Sequence, residues 1–480
     1  MRSMPALNAL ANRPLARPMP IRSQLLNDAP PRAVPKRSPW GPDARSSVVA
    51  TILIVLLVAI MVVPQGLDYT ERGFMPTEGD TLSRIVWLVL LAGAAYILAS
   101  QNARTVLFLR NLNPFLLLFV GLATLSILWS IEPTVTIRRV IRLFTMVMTC
   151  TAFTLVGWNQ RRFQRVLRNL ITVLLAASAI FVYTSPDLAI HHVPDHPELN
   201  LAWRGITTGK NILGSLSSAG FLLWLHAWLS RDAHKLVILG GAALAAVCLI
   251  MSRSSTSIMA TLFATTFMLI LLRSPGSMRS YLPYFVGIFA TVILIYSMAV
   301  LHLVPGLDVL LTPITALTGK DLTFTGRTSI WFVLIQHIHL RPWLGTGYGA
   351  YWVGPVPTSP SYEMLTRLFF YPTEGHNGYL DVINDLGLVG GAFLFGYFFS
   401  YVRTSLKLLR LDRYQAGLYL TLLFRGFVGD MSESHWFSVL SIDFVIMTLA
   451  TTSLTRSLLQ ARAAKQSAQQ KASLGAPRAA

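Results

Sequence analysis

Three short patterns in the second half of the chain place chemistry-capable side chains among apolar neighbours. His376 and Asn377 follow Glu374, and after nine intervening residues come Gly387 and Gly390. A histidine exchanges a proton near neutral pH, its ordinary pKa being about 6.5; its plainer role beside an apolar block is a hydrogen-bonding anchor. Arg327 opens the run Gly326-Arg327-Thr328-Ser329-Ile330-Trp331, with Pro342, Gly345, Gly347, Tyr348 and Gly349 after it. Arg253 sits in the turn Ser252-Arg253-Ser254-Ser255-Thr256-Ser257. A guanidinium among hydroxyls at a helix start can grip a phosphate bidentately, or simply snorkel to lipid headgroups. Asp381 and Asp385 fall one and two turns into the apolar block after His376. Acids inside a span are costly and point to function; these two are placed to hold His376 or to position a ligand's hydroxyls. The tract Gly345–Gly349 lacks the G-x-x-x-x-G-K-[ST] spacing and the preceding strand of a phosphate loop, so it reads as a tight aromatic-flanked turn. No Asp-x-Asp occurs, and no His/Asp cluster stands at ligand spacing, so no metal or other cofactor is expected.

The elements that carry these residues are apolar helices. The 480 residues are 53% hydrophobic and 13% charged, against about 25% charge in a soluble domain. The fold class expected is all-α: a polytopic integral membrane protein of about twelve transmembrane helices with one large periplasmic loop containing amphipathic helices. Apolar blocks fall near 48–63, 85–99, 114–131, 141–157, 167–184, 211–229, 236–251, 257–272, 281–304, 378–402, 414–429 and 436–455. The organisation expected is a disordered basic tail over 1–47, nine spans over 48–304, the large loop over 305–377, three spans over 378–455 and a basic tail over 456–480. The proline-interrupted first tail is too long for a signal-peptide start, so the run after it reads as a retained anchor. Cys150 and Cys248 lie inside apolar blocks and read as packing residues.

Charge orients this arrangement. With both termini cytoplasmic, 27 of the 40 Lys and Arg fall on the cytoplasmic side and 17 of the 21 acids do not. That is the positive-inside pattern, and it accounts for the net charge of +19 without nucleic acid. The exception is the outer connection carrying Arg138, Arg139 and Arg142. The other outer segments hold the Arg253 turn, the long loop, and a stretch with Arg204, Lys210 and Asn211. The apolar spacing after Arg327 predicts a surface helix capped by Thr325 or Thr328 and ended before Pro342. His337 and His339, nearer its middle, read as structural.

Taken together the motifs resemble the O-antigen ligase/polymerase superfamily of bacterial membrane proteins, which includes exopolysaccharide polymerases of the ExoQ type. Three matches carry the resemblance: His376-Asn377 with Gly387/Gly390; Gly326, Arg327, Trp331, Pro342, Gly345 and Gly347; and Ser252-Arg253-Ser254. The resemblance implies an inner-membrane enzyme acting on its periplasmic side without metal or nucleotide sugar. It implies an undecaprenyl-diphosphate-linked glycan as donor and a glycan or lipid-linked acceptor. His376 matches the general base for the acceptor hydroxyl, and Arg253 and Arg327 match diphosphate-binding arginines. Arg204, Lys210 and Asn211 resemble the Gly-x-x-x-Lys-Asn segment of exopolysaccharide members, with Gly209 where those often carry His. Together with Asn377, Glu374, Tyr348 and Asp381 they are candidate substrate-binding residues. The expected activity is polymerisation of lipid-linked repeat units for exopolysaccharide or O-antigen, with a chain-length regulator and export machinery as further partners. The alternatives are a ligase delivering glycan to lipid A core, and, in another class, a polysaccharide transporter or lipid-carrier flippase. The last predicts midplane charges and repeat symmetry, whereas the charges here gather on the outer side.

Overall fold

The computed structural model describes residues 44–63, 81–157, 159, 161–192, 200–273, 284, 327–439 and 441–475. These residues form α1 (Ala44–Val62), α2 (Thr81–Ser100), α3 (Asn102–Asn111), α4 (Pro114–Leu125), α5 (Pro133–Leu155), α6 (Arg162–Thr184) and the one-turn α7 (Pro186–Ala189). Then come α8 (Lys210–Ser230), α9 (Lys235–Met251) and α10 (Ser255–Arg273). After the gap follow α11 (Arg327–Leu340), α12 (Tyr362–Leu368), α13 (Gly378–Leu409), α14 (Arg413–Gly429) and α15 (Ile442–Gly475). The residues expected at 1–43, 64–80, 281–283, 285–304 and 305–326 lie outside the described set, the ninth span among them.

Seven described helices are long and apolar enough to cross a membrane: α1, α2, α6, α8, α10, α13 and α15. An eighth is added if the pair α3 and α4, bent by 100°, counts as one broken span. The polytopic helical architecture is therefore as expected. Twelve separate spans are not matched by the described helices. The segment read as a connection at 100–113 is largely helix α3, and its partner α4 is capped by Asn113, whose side chain accepts from Phe115 N, with Pro114 at the first helical position. Helix α1 already begins at Ala44, and α15 continues through the segment read as a tail to Gly475. Its start, at Ile442, leaves 436–439 and 441, at the beginning of the expected span 436–455, outside the helix.

Large apolar side chains such as Leu88, Leu128, Val173, Ile180, Leu236 and Phe399 remain exposed on the helices, as lipid-facing surfaces do. Cys150 and Cys248 are free and buried, as read from the sequence. The chain directions of α8 to α10 and α13 to α15 put two polar rims at opposite ends of the bundle. One rim holds Asp232 between Arg161, Arg165 and Arg168, at 2.9, 2.7 and 3.4 Å. The other holds the starts of α5, α8, α10 and α13 and the loop between α14 and α15.

Helix α13 is broken at Gly387, whose φ is +64°. The break frees backbone groups that a continuous helix would pair within itself, and the tract 342–349 supplies partners for them. Leu388 N donates to Pro342 O at 2.8 Å and Val389 N to Trp343 O at 3.3 Å. Thr346 N and Gly347 N donate to Asn384 O and Asp385 O at 3.0 and 2.9 Å. So Gly387 permits the close approach of a loop. A Cβ on Gly387 would lie 2.2 Å from Trp343 C. Gly387→Ala is expected to cost ~1–3 kcal/mol through the positive φ and that clash, read as a lowered thermal unfolding midpoint in detergent; an unchanged midpoint would refute the account of the break.

Candidate active site

Glu433, in the loop between α14 and α15, is the point on which the polar residues of this rim converge. Its side chain is 10% exposed. Arg327 Nη2 lies 2.9 Å from Oε1, and Asn211 Nδ2 donates to the same oxygen at 2.8 Å. His376 Nδ1 stands 3.7 Å from Oε2 and 3.2 Å from Glu374 Oε1. Arg327 also donates through Nη1 to the Ser432 carbonyl.

Each partner is presented by a local device. Arg327 and Trp331 are one turn apart on α11 and share a face. Arg327 reaches Glu433, while Trp331 Nε1 donates to Gly375 O at 2.8 Å, next to His376. The helix read as amphipathic does form, and it buries Ile330, Trp331, Val333 and Leu334 against the protein. His376 has φ +49°, a left-handed conformation unusual outside glycine. The turn is fixed from both sides. Gly375 N donates to Asp381 Oδ2 at 2.9 Å, and Asn377 caps α13 by accepting from Tyr379 N and Leu380 N, each at 3.1 Å. Gly378 N donates to the carbonyls of Asp430 and Glu433 at 3.0 and 2.9 Å, so the start of α13 is seated on the loop that carries Glu433. Asp381 also accepts from Trp352 Nε1 at 2.8 Å and from Ser434 Oγ.

The structure brings His376, Arg327, Glu374 and Asn211 together from the residues the sequence singled out. It gives others scaffold contacts. Asn377 uses its side-chain oxygen on the helix cap. Tyr348 is buried and donates from its hydroxyl to the Phe437 carbonyl. Asp381 is taken up in holding Gly375, Trp352 and Ser434. Arg204 donates from Nε to Leu188 O at 2.6 Å, within the loop before α8. Lys210 opens α8 beside Asn211. Arg253 is exposed and donates to Asn200 O at 2.9 Å. Its turn is nonetheless tied to the site loop by a 2.6 Å bond between Thr256 Oγ1 and Ser432 Oγ. His337 bonds Asn384 Oδ1 at 3.0 Å, consistent with the structural part read for it.

Charge dominates the centre. Burial pushes the His376 imidazolium down, but Glu374 and Glu433 override it and raise the pKa to about 9. Burial pushes Glu433 up, but His376 and Arg327 hold it at about 2. At neutral pH His376 is therefore protonated, and neutral imidazole is a minor form. The three groups also correct one expectation: Glu374, His376 and Glu433 present ligand atoms within 4.8 Å of one another. A cluster at metal-ligand spacing thus forms by folding, although none is contiguous in sequence. Its charge works against a cation, because Arg327 already engages Glu433 and His376 carries a proton.

Sequence reasoning missed Glu433, and with it Asp430, His435, Arg425 and Asp443. The signal was a short connector, Asp430-Met431-Ser432-Glu433-Ser434-His435, dense in polar groups between two apolar blocks. Beneath it Arg425 pairs with Asp443 at 2.7 Å and donates to Ser215 O and Ser218 Oγ at 2.7 and 3.0 Å, joining α8, α14 and α15.

With the geometry established, the motif resemblance can be set against known proteins. Residues 240–395 match the O-antigen ligase family. The chain is also similar to the exopolysaccharide production protein ExoQ of Rhizobium meliloti (strain 1021), 27% identical over 279 residues. That similarity spans 57% of this chain and 60% of the relative's length. The O-antigen ligase segment contains Arg253, Arg327, Glu374 and His376, so the resemblance read from the motifs is borne out. Asn211 and Glu433, which complete the cluster, lie outside it.

The coupling of His376 to its carboxylates has a sign that can be checked. A pKa raised from about 6.5 to about 9 contributes stability that is fully present below pH 6.5 and is lost as pH rises through 9. Thermal unfolding midpoints should fall across that window in the wild type and stay flatter in His376→Gln. Glu433→Gln should move the imidazole titration, followed by NMR, down from about 9; an unmoved titration would break the link.

Proposed function

We propose that this chain is a glycosyltransferase at the periplasmic face of a bacterial inner membrane, polymerising repeat units carried on undecaprenyl diphosphate. The observation that carries the reading is the convergence of Arg327, His376, Glu374 and Asn211 about Glu433 at one rim of the bundle. The acceptor oxygen bonds to the anomeric carbon while the bond from that carbon to the diphosphate oxygen breaks. Its electron pair leaves with the diphosphate, and attack from the opposite face inverts the carbon. Arg327 stands where leaving-group charge develops, in a preorganised setting that strengthens its effect. Arg253, on the tethered adjoining turn, is exposed for the carrier's diphosphate. No step requires a metal.

The hydroxyl proton needs a base within reach. His376 supplies it through its neutral form, so the rate should rise with pH towards about 9. The raised pKa favours a second reading, in which the imidazolium joins Arg327 in holding the diphosphate and Glu374, 3.2 Å away, takes the proton. The rate then falls as pH passes about 9. A pH–rate profile separates the two.

The polymerase is preferred to a ligase acting on lipid A core by the Lys210-Asn211 segment and by the relative's part in exopolysaccharide production. A flippase reading predicts that a knockout retains single lipid-linked repeats on the cytoplasmic leaflet; the polymerase reading predicts them on the periplasmic one. His376→Ala, Arg327→Ala and Arg253→Ala should each abolish polymer, with losses on the order of 100-fold or more for the proton-transfer group, at unchanged protein level. Full polymer in His376→Ala cells would remove His376 from the chemistry. Activity of purified protein on a defined lipid-linked oligosaccharide should survive excess EDTA, and its complete loss would give the Glu374–His376–Glu433 cluster to a metal.

A further inference from the structure

Arg139 is the residue that neither the motifs nor the proposed chemistry has used. It belongs to the three outer arginines that break the positive-inside pattern, and the structure separates their fates. Arg138 is exposed, and Arg142 lies over the Trp87 ring at 5.5 Å. Arg139 turns inward. It passes over Gly349, where a Cβ would come within 2.2 Å of its Cδ, and donates from Nη2 to Trp352 O at 2.9 Å.

There it lines a cavity shared with Tyr348, Trp352, Glu374, Asp381, Asp385 and Trp436. Glu374 is common to the cavity and to the cluster, since its carboxylate also meets His376 at 3.2 Å. A molecule in the cavity is therefore one side chain from the reacting centre.

The walls say what kind of molecule fits. Trp352, Tyr348 and Trp436 offer aromatic surface, the apolar body that a sugar's C–H face packs on. Among the described residues Arg139 uses only Nη2 and Asp385 only Oδ2, the latter on Gly349 N at 2.8 Å. An arginine and a carboxylate with remaining donors and acceptors match vicinal hydroxyls, which both donate and accept. Three carboxylates, Glu374, Asp381 and Asp385, against one guanidinium oppose a phosphate, so the diphosphate belongs on the Arg327 side and a neutral ring belongs here. We propose that this cavity is the subsite for the acceptor's terminal sugar, with Arg139 and Asp385 reading its hydroxyls. The proposal rests on the glycosyltransferase reading above.

The test uses full-length protein in lipid nanodiscs, with the lipid-linked repeat unit as donor. The acceptor is the same repeat unit freed of its carrier by mild acid. Arg139→Lys and Asp385→Asn should each raise the acceptor KM about tenfold or more, with kcat at saturating acceptor and donor binding within about twofold of wild type. Unchanged acceptor KM in both variants overturns the proposal. A loss of kcat at unchanged KM also overturns it, since that marks a merely structural role. Should either variant fail to stay monodisperse, thiol labelling of Ser438→Cys, on the cavity wall, replaces it. The carrier-free repeat unit is expected to slow labelling, and absence of protection overturns the proposal. Wild-type protein that binds the carrier-free unit yet extends no lipid-linked donor would count against the polymerase reading and leave the cavity assignment standing.

Discussion

A carboxylate held at 10% exposure stays ionised only if cations are brought to it. Glu433 meets that condition with Arg327 and His376, and Asn211 bonds the same oxygen that Arg327 engages. The constraint runs both ways. Without Glu433, Arg327 would lose its counter-charge, and His376 would lose one of the two carboxylates that hold its proton. Much of the surrounding architecture serves to place this one group: the α13 start seated on loop carbonyls, the Trp331–Gly375 bond, and the Thr256–Ser432 tie.

The second organising constraint is the break in α13. A helix interrupted at Gly387 must find partners for its freed backbone groups. The tract 342–349 provides them, and in doing so it runs along the helix between Gly387 and the His376 turn. The glycines at 345, 347 and 349 all have positive φ, and each has a close neighbour where a Cβ would be: Asp385, Ser130 and Arg139. The loop is thus both a splint for the helix and a wall of the cavity beside the cluster.

Much of this was legible in the sequence. Composition and block hydropathy give the helical membrane class, and the motifs give Arg327 and His376, because side-chain type and local spacing survive in a linear reading. What was not legible is pairing at long range. Glu433 lies 106 residues from Arg327 and 222 from Asn211, and no local period links them. Gly387 is visible as a glycine inside an apolar block, but the linear sequence could not say that a loop would fill the space beside it. Asn377 was read as a binding residue because it is polar within a motif; its side-chain oxygen is used by the helix cap. The form that each span takes is likewise set by neighbours. Apolar runs of similar length become straight spans, a bent pair or shorter helices according to neighbours that hydropathy does not see.

The chain order of these parts has a consequence for assembly. Arg253, Arg327 and His376 all leave the ribosome before Glu433, and the seat for α13 is made by the connector between the last two helices. A nascent chain that has reached only residue 395 carries every recognisable motif and lacks the buried acid that holds them in place. The arrangement of Arg327 and His376 about Glu433 is therefore complete only once the connector between the last two described helices is in place.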